Sequence, residues 1–338
     1  MREIVLVQCI NDETALEDRV AEGRAIVRVH RGGDLPQAVR DKAEALLLYS
    51  ATAPIPHAPD AFPACRIVIR TGVGYDTIDL EAWGRRGVPV CNVPDYGTSE
   101  VADHALALML SLLRGTGQYQ EMLRADPVAG WRFGAPPAMR RIRGLTFGVA
   151  GMGRIGTAAA ARARGFGMEI AVFDPYLPRG MEIALGARRV ESLAELFATS
   201  DVVSLHTPAN DETRGMVNEQ VLAQARQGLV LVNTARGTLV DLQALHDAMR
   251  AGRVAAAGLD VLSTEPADAR HPLIAAFLAR EPWLEGRLAL TPHAAFYSPE
   301  AQVDLRTKGV ETALAYLESG DLRNCVNTAV LAPRRGTG

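Results

Sequence analysis

The stretch TFGVAGMGRIGTAAAARARG, from Thr146 to Gly165, limits the choice of fold more than any other part of the chain. A short apolar run that reads as a strand leads into Gly151, Gly153 and Gly156, spaced G-x-G-x-x-G, and an alanine-rich segment that reads as a helix follows at once. Glycines so placed permit a tight strand-to-helix turn. They also let main-chain N–H groups at a helix N-terminus come close to a pyrophosphate. The next apolar run ends at Asp174, about twenty residues on, where a carboxylate can accept hydrogen bonds from both adenosine ribose hydroxyls and repel a 2′-phosphate. The pattern predicts a dinucleotide-binding turn that takes NAD in preference to NADP. It begins almost halfway along the chain, so a whole domain precedes it.

That domain is legible as short runs rich in Val, Ile or Leu at 3–9, 25–30, 45–50, 66–70 and 89–93, with helical patterns between most of them. A second series, at 146–151, 169–174, 201–208, 228–235, 255–261 and 287–293, reads as the six strands of a complete dinucleotide-binding sheet. Strand and helix alternating in this way favour parallel sheets covered on both faces. Between the two series, TSEVADHALALMLSLLRGTG reads as one long helix. Thr98 or Ser99 is its expected cap, Glu100 and Asp103 suit the positive end of its dipole, and Val101, Ala105, Leu108 and Leu112 make one buried face. A last helix starts at Ser298 with Pro299 in its first turn and is expected to return the chain to the first domain. The expected fold is therefore α/β, with two Rossmann-like or flavodoxin-like domains, parallel sheets and an active-site cleft between them. Residues 1–98 and 294–338 are expected to form a substrate-binding (catalytic) domain, and 99–293 an NAD-binding Rossmann domain.

Composition narrows the function classes. Net charge is −3 and no Lys/Arg block supplies a phosphate-binding face, which argues against nucleic acid as a direct partner. No apolar stretch reaches the roughly 18 residues a membrane span requires. The N-terminal sequence reads as a strand and helix rather than a signal peptide. Cys9, Cys65, Cys91 and Cys325 are widely separated and show no metal-ligand spacing, so a cytoplasmic protein with reduced thiols and no metal is expected.

Ligands in an open parallel sheet bind beyond the carboxyl ends of its strands. In the second series Arg236 and His293 stand at such ends, and Glu265 lies four residues beyond one. A guanidinium can hold a carboxylate and polarise a carbonyl. An imidazole can exchange a proton with the reacting oxygen, and a carboxylate bonded to it orients the ring. His206 also ends a strand, and spacing alone does not choose between it and His293.

The long motifs RTGVGYDTIDLEAWGRRGVPVCNVPDYGTSEVADHALAL, GLTFGVAGMGRIG, DVVSLHTPANDETRGMVN, LVNTARGTLVD and TPHAAFYS make the choice sharper. Together they resemble the D-isomer-specific 2-hydroxyacid dehydrogenase family over essentially the whole chain. FDPYLPRGMEIALGARRV, Phe296 and the ending GDLRNCVN are most similar to its C-terminal-binding-protein branch. The resemblance implies that Arg236 binds the substrate carboxylate and carbonyl, that Glu265 pairs with His293, and that His293 is the general acid or base. It implies further substrate contacts from Arg70, from the turn Val73–Gly74 and from Phe296. The cofactor contacts it implies are Val73, Gly151, Met152, Gly153, Arg154, Ile155, Gly156, Asp174, Thr207, Pro208, Thr213, Thr234, Ala235, Arg236, Asp260, His293 and Ala295. Relatives are usually dimers joined through the nucleotide domain, so a homodimer is expected.

The function so implied is hydride transfer between NAD(H) and a small 2-oxo or 2-hydroxy acid. Two alternatives stand beside it. One is an NADH-responsive dimeric co-regulator that binds partner peptides, as animal members of the branch do. The other is phosphite oxidation, which uses a similar Arg/Glu/His set. Animal members of the branch have a tryptophan where Phe296 stands, and the segment between Glu265 and His293 is longer here than in them.

Overall fold

A computed structural model describes residues 2–9, 13–49, 55, 57–134 and 136–331. The chain divides into two compact units: Met1–Gly97 with Tyr297–Gly338, and Thr98–Phe296.

In the first unit β1 (Arg2–Val7), β2 (Ala25–His30), β3 (Ala45–Leu48), β4 (Ile67–Arg70) and β5 (Val90–Asn92) form one sheet in the order β2-β1-β3-β4-β5. Every pairing is parallel, with Ile4 opposite Ala45 and Ala45 opposite Ile67. Interior strands of such a sheet are covered on both faces, so they are apolar without alternation. β3 is ALLL, and all four of its residues are buried. The last helix, Pro299–Ser319, begins as its sequence predicts. Ser298 Oγ accepts from Ala301 N at 2.9 Å, and Pro299 opens the first turn. That helix supplies Leu305, Val310, Ala313, Leu314 and Leu317 to the core on one side of the first sheet. A buried ion pair fastens it to the first helix, Ala15–Ala21: Arg306 Nε and Nη2 each donate to a Glu17 carboxylate oxygen at 2.7 Å.

The second unit holds β6 (Thr146–Ala150), β7 (Glu169–Phe173), β8 (Arg188–Arg189), β9 (Val202–Leu205), β10 (Leu229–Asn233), β11 (Val254–Leu259) and β12 (Leu288–Leu290). They make an all-parallel sheet in the order β12-β11-β10-β9-β6-β7-β8. Counted from β6, this is the strand order 3-2-1-4-5-6 of dinucleotide-binding domains with one strand added outside the sixth. The sheet therefore has seven strands where the sequence predicts six. The strand missed is β8, two arginines on the edge beside β7.

The helix expected over TSEVADHALALMLSLLRGTG is interrupted. It runs Thr98–Arg114, and Gly115 at φ 63° separates it from a second helix, Thr116–Ala125. Val101, Ala105, Leu108 and Leu112 are buried as their spacing predicts. Thr98 does not cap it through its side chain, because its buried hydroxyl makes no hydrogen bond among the described residues. The long segment before His293 is partly helical, Pro272–Leu278, with His271 as its cap. Cys9, Cys65, Cys91 and Cys325 are free thiols. Among the described residues no helix is long and apolar enough to cross a membrane, and no cluster of three or more His, Cys, Asp or Glu residues could hold a metal ion.

Candidate active site

Two sets of predicted site residues lie at the carboxyl edge of the second sheet. The first surrounds the glycine turn. Gly151, at φ 91°, backs onto the next crossover, where a Cβ would stand 2.9 Å from the His206 carbonyl carbon and oxygen. A Cβ on Gly156 would collide with Gly151 O. The fold itself therefore requires these two glycines. Gly153 is different: its φ is −71°, and a Cβ there would meet nothing within 4 Å. A side chain would be tolerated there by the protein, so Gly153, unlike the other two, is not required by the fold. Gly153 caps the helix Arg154–Gly165 with no side-chain hydrogen bond, which leaves its first N–H groups for an anion.

Asp174 follows β7 and is held from two directions. Its Oδ2 accepts from Met152 N at 2.8 Å, and its Oδ1 from Tyr176 N at 2.9 Å. Each oxygen keeps a further lone pair, so the carboxylate is both fixed and able to accept hydroxyl protons. The Thr207–Thr213 segment is folded on itself. Thr213 Oγ1 donates to Pro208 O at 2.6 Å and accepts from Asn210 N at 2.9 Å. Thr234, at the end of β10, is 7% exposed, and its hydroxyl has no hydrogen-bond partner among the described residues. A buried orphan hydroxyl at a strand end of the same sheet as the open glycine turn and the fixed carboxylate fits a polar ligand such as NAD.

The second set holds the candidate acid–base residues. Buried Asn233 fixes the turn after β10: its Nδ2 donates to Arg236 O at 2.8 Å, and its Oδ1 accepts from Ala235 N at 3.0 Å. Arg236 is thereby placed at the strand end, where its charge acts on Glu265. Glu265 Oε1 accepts from Leu262 N at 3.0 Å. Its Oε2 lies 2.7 Å from His293 Nδ1. A carboxylate only accepts, so Nδ1 carries the proton of this bond and Nε2 is the nitrogen that Glu265 does not engage. Burial pushes the Glu265 carboxyl up, but the His293 hydrogen bond and charge, the Leu262 N–H and Arg236 outweigh it and hold the group below its ordinary value. Glu265 is thus an anion across the neutral range.

His293 adopts φ 54°, a left-handed conformation that costs a non-glycine residue about 1–3 kcal/mol. Asp260, 2% exposed, stabilises it. His293 N donates to Asp260 O at 2.8 Å. The Asp260 carboxylate accepts from Thr291 Oγ1 at 2.6 Å, Ala294 N at 2.8 Å and Ala295 N at 2.9 Å. With its hydroxyl proton committed to Asp260, Thr291 Oγ1 accepts from His104 Nε2 at 2.9 Å. Sequence reasoning named Asp260 only as a cofactor contact and missed this support, in which Thr291, His104 and Asp260 aim the histidine. The Phe296 ring stands edge-on to His293, with centroids 6.3 Å apart.

His206 is not equivalent to His293. Burial pushes its pKa down to about 4, and its Nε2 lies 2.9 Å from the buried Ser204 hydroxyl. It is therefore neutral wherever an enzyme of this kind operates. In the first unit, Asn92 Nδ2 donates to Val73 O at 2.7 Å and fixes the Val73–Gly74 turn. Arg70 is 5% exposed, and its guanidinium turns back onto the carbonyls of Leu48 and Thr71.

Comparison with known proteins agrees with this arrangement. Residues 106–295 match the family described as D-isomer specific 2-hydroxyacid dehydrogenase, NAD binding domain. The chain is 37% identical to a glyoxylate reductase of Korarchaeum cryptofilum over 278 residues, 81% of this chain and 80% of that protein. It is also 37% identical to a D-3-phosphoglycerate dehydrogenase of Mycobacterium leprae over 287 residues, 85% of this chain but only 51% of that longer protein. The crystal structure of an NADPH-dependent glyoxylate/hydroxypyruvate reductase from Sinorhizobium meliloti, in complex with NADP and malonate, superposes with a TM-score of 0.83. It is 30% identical, and the superposition covers 99% of each chain. The chain belongs to the D-isomer-specific 2-hydroxyacid dehydrogenase family, and residues 106–295 are its NAD-binding domain.

Proposed function

We propose that this protein reduces a small 2-oxo acid to the D-2-hydroxy acid, and catalyses the reverse, with His293 as general acid and base. The observation that carries the reading is the 2.7 Å His293–Glu265 pair beside Arg236, together with a neutral competitor at His206. Bound NAD(H) supplies the two-electron step, exchanging a hydride with C2 of the substrate. Arg236 holds the substrate carboxylate and polarises the neighbouring carbonyl. His293 Nε2 gives its proton to the carbonyl oxygen in reduction and takes it back in oxidation, while the Glu265 carboxylate stabilises the doubly protonated ring. Phe296 forms an apolar wall beside His293. The resemblance also assigns substrate contacts to Val73, Gly74 and Arg70, and a homodimer through the nucleotide-binding unit. The named relatives act on glyoxylate, hydroxypyruvate and phosphoglycerate, which makes short 2-oxo acids the first substrates to try.

The test is NADH oxidation against glyoxylate, pyruvate, hydroxypyruvate and phenylpyruvate, with phosphite tried in the presence of NAD. Saturable turnover of at least one 2-oxo acid is expected. Binding of NADH with no turnover of any of them would favour the co-regulator reading, and turnover of phosphite alone would replace the proposal.

Two predictions follow from the hydrogen bonds described above. The fixed Asp174 carboxylate would face a 2′-phosphate, so NADH should exceed NADPH in kcat/KM by about tenfold or more, near 1.4 kcal/mol. Asp174→Ala should narrow that ratio, and equal use of both by the wild type would refute the assignment. Glu265→Gln keeps a hydrogen-bond acceptor but removes the negative charge that favours the doubly protonated ring of His293. The change should therefore lower kcat for 2-oxo acid reduction by about tenfold while NADH affinity is kept. An unchanged kcat would show that the Glu265 charge does not act on the proton transfer.

A further inference from the structure

Tyr176 combines two properties that rarely go together. Its side chain is 74% exposed, yet its hydroxyl donates a 2.5 Å hydrogen bond to Glu212 Oε2 on a separate loop. An exposed tyrosine ordinarily swings about its side-chain torsions. Here the hydroxyl is held while the ring face stays open.

Both attachment points are rigid. On one side Tyr176 N donates to Asp174 Oδ1 at 2.9 Å, and Arg189 donates to Asp174 O at 3.2 Å and to Leu177 O at 2.8 Å. Arg189 is itself paired with Glu182 at 2.9 Å. On the other side Asn210 Oδ1 accepts from the N–H groups of Glu212 and Thr213, each at 3.0 Å. The Glu212 hydrogen bond and charge push the Tyr176 phenol up, followed by burial and the charge of Asp174.

We propose that Tyr176 is a further dinucleotide-binding residue, whose ring is the face on which the adenosine end of the cofactor stacks, and that Glu212 is the positioning residue that holds it there. The proposal rests on the reading of Asp174 as the ribose ligand, because Tyr176 is two residues beyond it. Purines stack on aromatic side chains, and a ring fixed in advance loses less freedom when the base arrives. The nicotinamide end of the cofactor should gain nothing from it.

Isothermal titration of the full chain with ADP-ribose, NADH and reduced nicotinamide mononucleotide tests this. Tyr176→Ala should weaken ADP-ribose and NADH by about tenfold or more, the effect of losing a stacked base. Tyr176→Phe and Glu212→Ala keep the ring but release it, and each should weaken them about two- to fivefold, with the double variant no worse than either. In Glu212→Gln the amide oxygen still accepts the phenol, so binding should stay near that of the wild type. The mononucleotide should bind every variant alike, and thermal midpoints should not move, because both side chains are exposed. Unchanged ADP-ribose binding by Tyr176→Ala would overturn the proposal, as would a proportional loss of the mononucleotide. Failure of the wild type to bind ADP-ribose or NADH would instead overturn the NAD reading beneath it.

Discussion

Replacing His293 by alanine should lower kcat for 2-oxo acid reduction by roughly 10²–10⁴-fold, about 2.7–5.5 kcal/mol of transition-state stabilisation. Affinity for NADH should be largely kept, because the glycine turn, Asp174 and Thr234 are untouched. On the proposed assignment the loss would be that of the proton exchanged at Nε2, since Nδ1 is committed to Glu265. His206→Ala is the control. Its ring is neutral and bonded to Ser204, so its removal should act on stability rather than on the chemical step. Steady-state and single-turnover rates of both variants decide the matter. If His206→Ala abolished turnover while His293→Ala kept it, the acid–base assignment would be wrong.

The second large effect is expected at Gly237, directly after Arg236. A Cβ at this position would run into the carbonyl carbon and oxygen of Leu262 and into Ser263 N. All three atoms are main chain, so no side chain can swing aside to make room. Gly237→Ala should destabilise the second unit by about 3 kcal/mol, the upper part of the range for overpacking. For a unit of this size that lowers the thermal midpoint by roughly 6–12 °C. The strand end and the 262–265 loop would have to separate, and Leu262 N is what holds Glu265 Oε1. Activity measured well below the midpoint should therefore fall as well. A variant with an unchanged melting curve and unchanged kcat would show that the close approach is not needed.

How much of this could be read in advance differs from element to element. Parallel strands buried on both faces announce themselves as unbroken apolar runs, and β3 and β10 were visible for that reason. β8 was not. Two arginines have no apolar signature, and what makes them a strand is β7 offering an unpaired edge. The break at Gly115 is not legible either, because the stretch from Thr98 to Gly117 reads as one helix and nothing in it says that the chain turns at Gly115 before helical geometry resumes at Thr116. Arg236, Glu265 and His293 could each be nominated from strand ends, but nothing in their spacing brings Glu265 Oε2 to His293 Nδ1. That contact depends on the local Leu262–Glu265 turn and on the Asp260 carboxylate, whose bonds to Ala294 and Ala295 are tertiary. For the same reason His206 could not be set aside until its burial was known.

The Arg306–Glu17 pair has a consequence for how the molecule is made. Its partners are 289 positions apart, and the 98–296 unit lies wholly within that interval. A ribosome therefore releases the material for the inner unit while the outer one still lacks its last helix. Until that helix emerges, Glu17 and the apolar side of the first sheet have no cover, and they form the kind of surface that chaperones hold. The inner unit can be finished during synthesis, whereas the outer one closes only at the end. Nonsense truncations before Arg306 should accordingly accumulate as aggregates or degradation products, even though every residue of the nucleotide-binding turn has been translated.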